Sequence, residues 1–175
     1  KSIRFEKQLN FLKNNLKIDV VGGYIEEFTV STNKKRVVKF PLTHIECEKK
    51  FKYRDPFAHP SVMFRKSFFE KAGLYDINLK GITNWDDTSL WYSGFKDGCY
   101  FANIPNVILE FRINEDFYSR RRNGIKRALA YTKFRYNVNL DLKNGFSSQM
   151  FLIPRFLLNI APVFLKKIAY SVLRK

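Results

Sequence analysis

Amphipathic helical segments alternate with short, strand-like apolar segments along the whole of this 175-residue chain. In the first segment, apolar residues from Phe5 to Leu16 recur at steps of four, three and four, which places them on one face of a helix. The next segment, at 18–30, predicts an extended strand with a bend or a close backbone approach at Gly22-Gly23. Such intermixing indicates an α/β or α+β fold, and we expect a mixed α/β fold.

Turn-forming and helix-capping residues divide the chain into further elements. Ser67 is placed to cap a short helix that ends at Gly73, and we expect Pro154 and Pro162 to interrupt the last helix. We expect residues 1–140 to form one domain and residues 141–175 to form a basic amphipathic helical tail. The expected helices cover 4–16, 42–51, 68–72, 86–96, 115–137 and 150–173, and the expected strands cover 18–30, 37–40, 61–65, 100–102 and 107–112.

Positive charge is concentrated in the last third of the chain. The whole sequence holds 32 Lys and Arg against 16 Asp and Glu, a net charge of +16. Thirteen of those basic residues but only one acid, Asp141, lie from residue 117 onwards. A basic C-terminal third points to an anionic partner, which is a nucleic acid, a phosphorylated substrate or an acidic membrane surface.

The two cysteines, Cys47 and Cys99, lie far apart and outside any CxxC motif or Cys/His cluster. This spacing excludes a zinc ribbon and a dense disulfide scaffold, so two ordinary thiols in a reducing compartment are expected. The sequence shows no signal peptide and begins with Lys1 rather than Met, which leads us to expect a fragment of a longer protein.

An acidic pair, Asp86-Asp87, opens the helix expected at 86–96. Acidic residues are common at helix N-termini, where they accept hydrogen bonds from free N–H groups and meet the positive end of the helix dipole. The alternative is catalytic: a general base held at the start of a helix, at the mouth of a site. A free aspartate has a pKa of about 3.9 and is a weak base, so burial or a neighbouring carboxylate such as Asp86 must raise the pKa of Asp87 for that role.

Two further segments hold candidate binding residues. His59 stands in the loop that enters a strand-like segment, where its ring either has a structural role or binds a sugar hydroxyl or a phosphate. Arg112 lies between two apolar residues in an expected strand, and an arginine there needs a partner because an unpaired buried charge is costly. The run from Arg120 to Arg122 is typical of a solvated surface, although arginine interleaved with aromatic residues at 111–136 also suits nucleic-acid binding.

Several motifs share their order and spacing with one known protein family. They are RFEKQ at 4–8, IDVVGG at 18–23, HPSVMFR at 59–65, GLYD at 73–76, DDTSLW at 86–91, FANIP at 101–105 and FRI at 111–113. Together they resemble the C-terminal half of bacterial family 2 glycosyltransferases, which build capsule, exopolysaccharide and lipopolysaccharide chains. The resemblance is strong from 4 to 122 and weaker beyond. The family's usual Glu-Asp is Asp86-Asp87 here, and its nucleotide-binding half with the metal-binding DxD motif is not among these residues.

The resemblance implies the acceptor-side half of a glycosyltransferase-A fold and a direct displacement that inverts the anomeric carbon. Asp87 would be the general base and Asp86 a supporting carboxylate. The partners would be a nucleotide-sugar donor and a glycan or lipid-linked acceptor. A divalent metal, Mn²⁺ or Mg²⁺, would bind in the full-length enzyme but not in this chain, which we expect to be inactive by itself. The residues expected to bind the acceptor or a phosphate are His59, Arg65, Trp85, Trp91, Arg112, Arg120 and Arg121.

The tail contains one charged residue, Arg155, between 144 and 165, and basic residues follow it. That length is close to the roughly 20 residues that cross a bilayer, but two prolines and two amide side chains oppose a span. The alternatives are a helix packed on its own domain, an in-plane helix on an anionic membrane, and a true span. For the in-plane helix, we expect a cytoplasmic protein held peripherally on the inner face of the cell membrane. Its expected membrane contacts are Arg155, Leu157, Phe164, Lys166 and Lys167.

Two other functional classes stay open at the level of sequence. A basic nucleic-acid-binding module fits the net charge, but the chain has no RRM, KH, zinc-finger or helix-turn-helix signature, and we expect no nucleic-acid partner. The other class is a non-catalytic interaction domain. A DxD motif just upstream of Lys1, or neighbouring genes for polysaccharide export, would favour the glycosyltransferase.

Overall fold

The computed structural model describes residues 3–29, 31–75, 86–114 and 124–173. Helices and strands intermix within these ranges, which confirms the mixed α/β class. The elements are α1 (Arg4–Asn14), β1 (Val20–Thr29), β2 (Lys34–Val38), α2 (His44–Phe51), a 3₁₀ turn (His59–Ser61), β3 (Met63–Phe64), α3 (Lys66–Ala72), α4 (Asp86–Lys96), β4 (Phe101–Ile113), α5 (Ile125–Asp141), α6 (Gly145–Met150), α7 (Leu152–Ile160) and α8 (Val163–Leu173).

Strand β1 is the centre of a four-stranded sheet. Strand β4 pairs with it in parallel along its whole length, from Val20 opposite Phe101 to Thr29 opposite Ile113. On the other side, β3 pairs antiparallel with the first residues of β1, and β2 pairs antiparallel with the last ones. The first four residues of β1 are all buried, as expected of a central strand that is covered on both faces.

Two apolar clusters cover the two faces of this sheet. Adjacent residues of a strand point to opposite faces, and the neighbours Val20 and Val21 accordingly belong to different clusters. The larger cluster joins α2, α3 and α4 to the sheet through aromatic side chains, of which Phe68, Trp91 and Phe101 are fully buried. Helix α4 is therefore anchored to the sheet, which fixes the position of the acidic pair in its first turn.

Gly22 and Gly23 mark a close approach between β1 and β4, and β1 runs through them without a break. A Cβ at Gly22 would overlap Oδ1 of Asn103, and a Cβ at Gly23 would lie 2.7 Å from Cδ1 of Ile108. Any larger residue at these two positions would push the side chains of β4 away. Of the two alternatives given by the sequence, the close backbone approach is confirmed.

The strands expected at 100–102 and 107–112 are a single strand, β4, so the prediction of two strands is wrong. The pairing instead shifts register: Gly23 lies opposite Ile104, and the next residue, Tyr24, lies opposite Val107. Pro105 is exposed within this irregularity. A bulge tolerates proline because the ladder needs no N–H from the extra residue.

Two helices, α2 and α3, begin at residues other than those expected from the sequence. Helix α2 begins later than expected because Thr43 and Glu46 form a capping box in front of it. Helix α3 begins one residue before Ser67, which is therefore not its cap. Gly73 ends α3 with a positive φ of 75°, as its sequence position predicted.

The helix expected at 150–173 is divided into α7 and α8, and its first expected residue, Met150, is the last residue of α6. Pro162 separates α7 from α8 as predicted, but Pro154 lies in the first turn of α7 and does not interrupt it. Proline is tolerated there because the first N–H groups of a helix have no partner within the helix. The helix expected at 115–137 is α5, which covers 125–141, while residues 115–123 lie outside the described part. Among the helices described, none has the length and apolar character needed to cross a bilayer.

Candidate active site

Asp87 lies in the first turn of α4, partly buried against the aromatic core. Three later residues of the helix, Thr88, Leu90 and Trp91, are buried and anchor this turn. The backbone N–H of Thr88 donates to Asp87 Oδ1 at 2.8 Å, an interaction that suits an acidic side chain at a helix N-terminus. Asp86 is exposed. The pair therefore presents one carboxylate to solvent and holds the other against the core.

A third carboxylate, Asp55, stands beside the pair although it belongs to the loop that follows α2. The hydroxyl of Thr88 donates to Asp55 Oδ2 at 3.0 Å. Because the Thr88 hydroxyl binds Asp55 while the Thr88 N–H binds Asp87, one buried residue holds both carboxylates at the start of α4. The cluster thus joins a loop and a helix that are distant in the sequence.

Burial raises the pKa of the Asp87 carboxyl to about 6, and the negative charge of Asp55 contributes to the rise. Asp86 contributes less in the same direction, while the Thr88 N–H lowers the pKa by stabilising the carboxylate. The chief neighbouring charge is therefore Asp55 and not Asp86, which was the neighbour considered from the sequence. An aspartate with a pKa of about 6 is ionised at neutral pH and still binds a proton more tightly than a free aspartate, as a general base requires.

His59 and Tyr75 lie next to the acidic pair. His59 Nε2 is 2.6 Å from the Tyr75 hydroxyl, and the imidazole meets the rings of Tyr75 and Trp91 edge-on. Burial raises the pKa of Tyr75, and the negative charges of Asp86 and Asp87 raise it further. Tyr75 therefore keeps its proton at neutral pH. The structure brings His59, one of the residues selected from the sequence, to the acidic pair through Tyr75.

The contacts of Trp91 and Arg65 in this structure are with other parts of the fold. Trp91 is fully buried within the aromatic core. The Arg65 guanidinium donates to main-chain carbonyls after and within the last turn of α1, from Nε to Ile18 at 2.8 Å and from Nη2 to Leu12. These bonds tie Arg65 to the end of α1 and to the segment that leads from α1 into β1. That either side chain contacts the acceptor or a phosphate stays a prediction.

Arg112 is exposed near the end of β4, opposite Phe28 of β1. The premise that it is buried and needs a partner is wrong, because alternate side chains in this part of the strand face solvent. Trp85, Arg120 and Arg121 lie outside the described residues, and their contacts with the acceptor or a phosphate stay predictions.

Arg135 of α5 is a buried cation that the sequence analysis did not select. Its side chain is 1% exposed, and Nη1 lies 4.0 Å from Asp55 Oδ1. Nη2 donates to the main-chain carbonyl of Phe51, and the guanidinium lies 4.7 Å from the centre of the Phe51 ring. The signal that was missed is helical spacing, because Arg135 falls on the same face as the buried residues Ala128 and Tyr131.

The described ranges contain no group of three or more His, Cys, Asp and Glu side chains arranged to hold a metal ion. The divalent metal implied by the family resemblance therefore has no fitting ligand set among these residues. Cys47 and Cys99 are free and buried, as expected of ordinary thiols. Burial raises the pKa of both thiols, which makes them poor nucleophiles and poor metal ligands.

In the tail, apolar side chains face outward. Leu157 of α7 is 56% exposed, and Phe164 of α8 is 61% exposed. Ile160 and Ile168 are exposed as well, and the helical spacing of these four residues makes an apolar stripe along α7 and α8 that is open to solvent.

Two basic side chains of the tail face inward. Arg155 Nη2 donates to the hydroxyl of Tyr131 on α5 at 3.3 Å. Lys166 is buried, and its Nζ donates to the carbonyl of Asn159 at 2.8 Å. Local polar contacts thus hold both side chains in this structure, and their contact with lipid headgroups stays a prediction. The side chain of Lys167 is outside the described part of the structure.

Three curated proteins with glycosyltransferase names are similar to this chain. The UDP-Gal:alpha-D-GlcNAc-diphosphoundecaprenol beta-1,3-galactosyltransferase of Escherichia coli is 30% identical over 134 residues, which cover 77% of this chain and 47% of that protein. The amylovoran biosynthesis glycosyltransferase AmsE of Erwinia amylovora is 28% identical over 98% of this chain and 63% of its own length. An uncharacterized glycosyltransferase of Haemophilus influenzae is 30% identical over 98% of this chain and 63% of its own length.

The chain spans between about half and two thirds of the length of these relatives. No protein-family model matches it, and no solved structure matches it. The similarity to proteins named as glycosyltransferases agrees with the resemblance that the sequence motifs indicated.

Proposed function

We propose that this chain is the acceptor-side part of an inverting glycosyltransferase of the family 2 type, with a glycosyltransferase-A fold, in the synthesis of bacterial surface polysaccharide. Asp87 is the proposed general base, and Asp86 supports it as a second carboxylate. One observation carries the proposal. At the position that resembles the family's second acidic residue, a partly buried carboxyl has its pKa raised to about 6.

The names of the relatives support the proposed substrates. One relative is named for transfer from UDP-Gal to a GlcNAc-diphosphoundecaprenol, and another is named for amylovoran biosynthesis. We extend to this chain only the shared chemistry, which is a nucleotide-sugar donor and a glycan or lipid-linked acceptor.

In the proposed reaction, Asp87 accepts the proton of an acceptor hydroxyl while the hydroxyl oxygen attacks the anomeric carbon of the donor. The new glycosidic C–O bond forms as the bond to the diphosphate oxygen breaks, and that electron pair leaves with the diphosphate. Asp87 later releases the proton to solvent. Tyr75 and His59, which lie beside the acidic pair, are suited to hydrogen bond with a sugar hydroxyl. Mn²⁺ or Mg²⁺ belongs to the proposal for the full-length enzyme.

The proposal is tested by a transfer assay with the full-length protein, a lipid-linked GlcNAc-diphosphate acceptor and a panel of labelled nucleotide sugars. NMR of the product then compares its anomeric configuration with that of the donor. We expect transfer with inversion, lost in Asp87→Asn. The matched control is Asp97→Asn, the same chemical change at an exposed residue just past the other end of α4, and it should keep the activity.

A product with retained configuration would contradict the direct displacement. Near-normal turnover of Asp87→Asn would instead show that Asp87 is not the general base, and the role would be reassigned to Asp86. No transfer with any donor in the panel would contradict the proposed substrates.

The proposal also places the protein peripherally on an anionic inner membrane surface. The support is the exposed apolar stripe of α7 and α8 together with the net charge of +16. Membrane contact is proposed for Leu157, Phe164 and Lys167, while Arg155 and Lys166 serve the tail's own packing.

A further inference from the structure

Asp55 is held from two sides within the carboxylate cluster. Its Oδ2 accepts the hydrogen bond of the buried Thr88 hydroxyl at 3.0 Å. Its Oδ1 faces Arg135 Nη1 at 4.0 Å, and both of these atoms are buried without a hydrogen-bond partner among the described residues. The side chain of Asp55 is 29% exposed, which places it at the edge of the core, and these two contacts hold it there.

Arg135 gives Asp55 a counter-charge that does not move. The guanidinium is locked by its bond to the Phe51 carbonyl and by packing over the Phe51 ring. A buried cation is strongly destabilising without an anion nearby, and Asp55 is the carboxylate that faces it. Asp55 is therefore the anion that faces this buried cation, whereas no cation of the described residues forms an ion pair with Asp87.

The two carboxylates consequently differ in environment although they share one anchor, Thr88. Paired acids in unlike environments divide between the two roles of charged neighbour and proton carrier. Among the described residues, the charged and titratable groups around the pair are Arg135 from α5, Tyr75 after α3 with its partner His59, and Asp86 on α4 itself.

We propose that Asp55 is a positioning residue, whose carboxylate is held beside Asp87 by Thr88 and Arg135 and thereby makes Asp87 a stronger proton acceptor. The inference rests on the proposed function, because it concerns the proton that Asp87 takes from the acceptor hydroxyl. That proton passes from the hydroxyl oxygen to Asp87 as the glycosidic bond forms, and Asp55 takes no part in bond making or breaking.

The direct test is a ¹³C NMR titration of the Asp87 side-chain carboxyl in the 175-residue chain. In the wild type we expect a midpoint at about 6. Asp55→Asn keeps the shape of the side chain and an oxygen for the Thr88 hydroxyl but removes the charge. The midpoint should then fall by roughly half a pH unit or more.

A second variant and a control separate charge from structural damage. Thr88→Val keeps the charge of Asp55 and the backbone N–H that binds Asp87, but it releases Asp55, so the midpoint should fall by less than in Asp55→Asn. Asp97→Asn makes the same chemical change outside the cluster and should leave the midpoint unchanged. An unchanged midpoint in a folded Asp55→Asn protein would overturn the proposal.

The pH dependence of kcat/KM in the full-length protein distinguishes this inference from the proposed function. If the proposed function and the positioning role of Asp55 both hold, the acid limb of the profile should move to lower pH in Asp55→Asn, by as much as the NMR midpoint does. A shifted midpoint with an unmoved acid limb would overturn the positioning role. A shifted midpoint in a protein that transfers no sugar would refute the proposed function but would still support the effect of the Asp55 charge on Asp87.

Discussion

The start of α4 and the tail helices α7 and α8 handle charged side chains in opposite ways. At the start of α4, three residues from distant parts of the chain, Asp55, Asp87 and Arg135, place their charges close together at the edge of the core. In the tail, Arg155 and Lys166 bond to neighbouring polar groups, while apolar side chains face solvent.

This difference shows that the arrangement of charged side chains in the fold indicates function better than the number of charges in a region does. The tail belongs to the most basic third of the sequence, yet its described cations satisfy local hydrogen bonds. The start of α4 carries few charges, but long-range packing brings them together and changes the proton affinity of one of them. Chemistry is therefore expected at α4 and surface contact at the tail.

The largest expected effect separates the two regions by turnover. Asp87→Asn should lower kcat of the full-length protein by about 10²–10⁴, the usual contribution of a positioned base. Leu157→Ser, a change in the tail, should leave kcat with a water-soluble acceptor close to that of the wild type. Equal losses in the two variants, measured in one steady-state assay, would remove the distinction between the regions.

Two arginines allow the same comparison by stability. Arg135→Ala removes a fully buried cation and leaves Asp55 without its counter-charge, and should lower the free energy of unfolding by about 3–5 kcal/mol. Arg155→Ala removes a partly buried side chain that is hydrogen-bonded to Tyr131, and it should lower the free energy of unfolding by only roughly 1–2 kcal/mol. Urea unfolding measures both free energies. A larger loss of unfolding free energy in Arg155→Ala than in Arg135→Ala would contradict the claim that the buried charge contact lies at the start of α4 and not in the tail.

The raised pKa of Asp87 predicts that its ionised form destabilises the fold. Because the folded pKa of about 6 exceeds the usual value, this group's contribution to stability is fully present below about pH 4 and is lost as the pH rises through the folded pKa. Asp87→Asn should therefore raise the free energy of unfolding at neutral pH by about 1–3 kcal/mol. The gain should shrink as the pH falls and vanish near pH ~3, where Asp87 holds its proton in both the folded and the unfolded wild type. Thermal unfolding of both proteins at the two pH values checks this, and a gain of equal size at both would contradict it.

The smallest effect concerns the tail surface. Leu157→Ser should weaken binding to vesicles that contain phosphatidylglycerol by roughly three- to tenfold, because part of a leucine's burial in lipid is lost. Leu9→Ser is the control, since Leu9 on α1 is similarly exposed at 47% but lies outside the tail. Cosedimentation with vesicles, and with an oligonucleotide in parallel, measures both variants. Equal binding by the two variants, or salt-sensitive binding to the oligonucleotide alone, would count against the membrane surface.

Local pattern was enough to predict the class of fold and most of its elements. Helix α4 begins at Asp86 and ends at Lys96 as its acidic start and apolar spacing indicated, and the glycine pair in β1 marks a close approach. The pattern failed at β4, because Pro105 is typical of a strand break and only the register shift against β1 accommodates it. Pairing between distant strands is not encoded in a local window.

The candidate site was predictable only in part, for the same reason. The position of Asp87 at a helix start and the resemblance of its motif selected it, but Asp55 precedes a proline in a loop and carries no local sign of its partner. Arg135 could have been found from its place on the buried face of α5, although its pairing with Asp55 depends on how α5 packs. The full burial of Trp91 could not be predicted, because a tryptophan beside a catalytic motif has the same sequence pattern whether it faces a ligand or the core.

The central claim is that Asp87 acts as a general base with a pKa raised by its surroundings, and the pH dependence of kcat/KM in the full-length protein tests it most directly. A base must be ionised to accept the proton, so activity should fall as the pH drops through about 6. That acid limb should be missing from the residual activity of Asp87→Asn and present in Asp97→Asn. An acid limb near the ordinary aspartate value of about 4, or one that persists in Asp87→Asn, would contradict the claim.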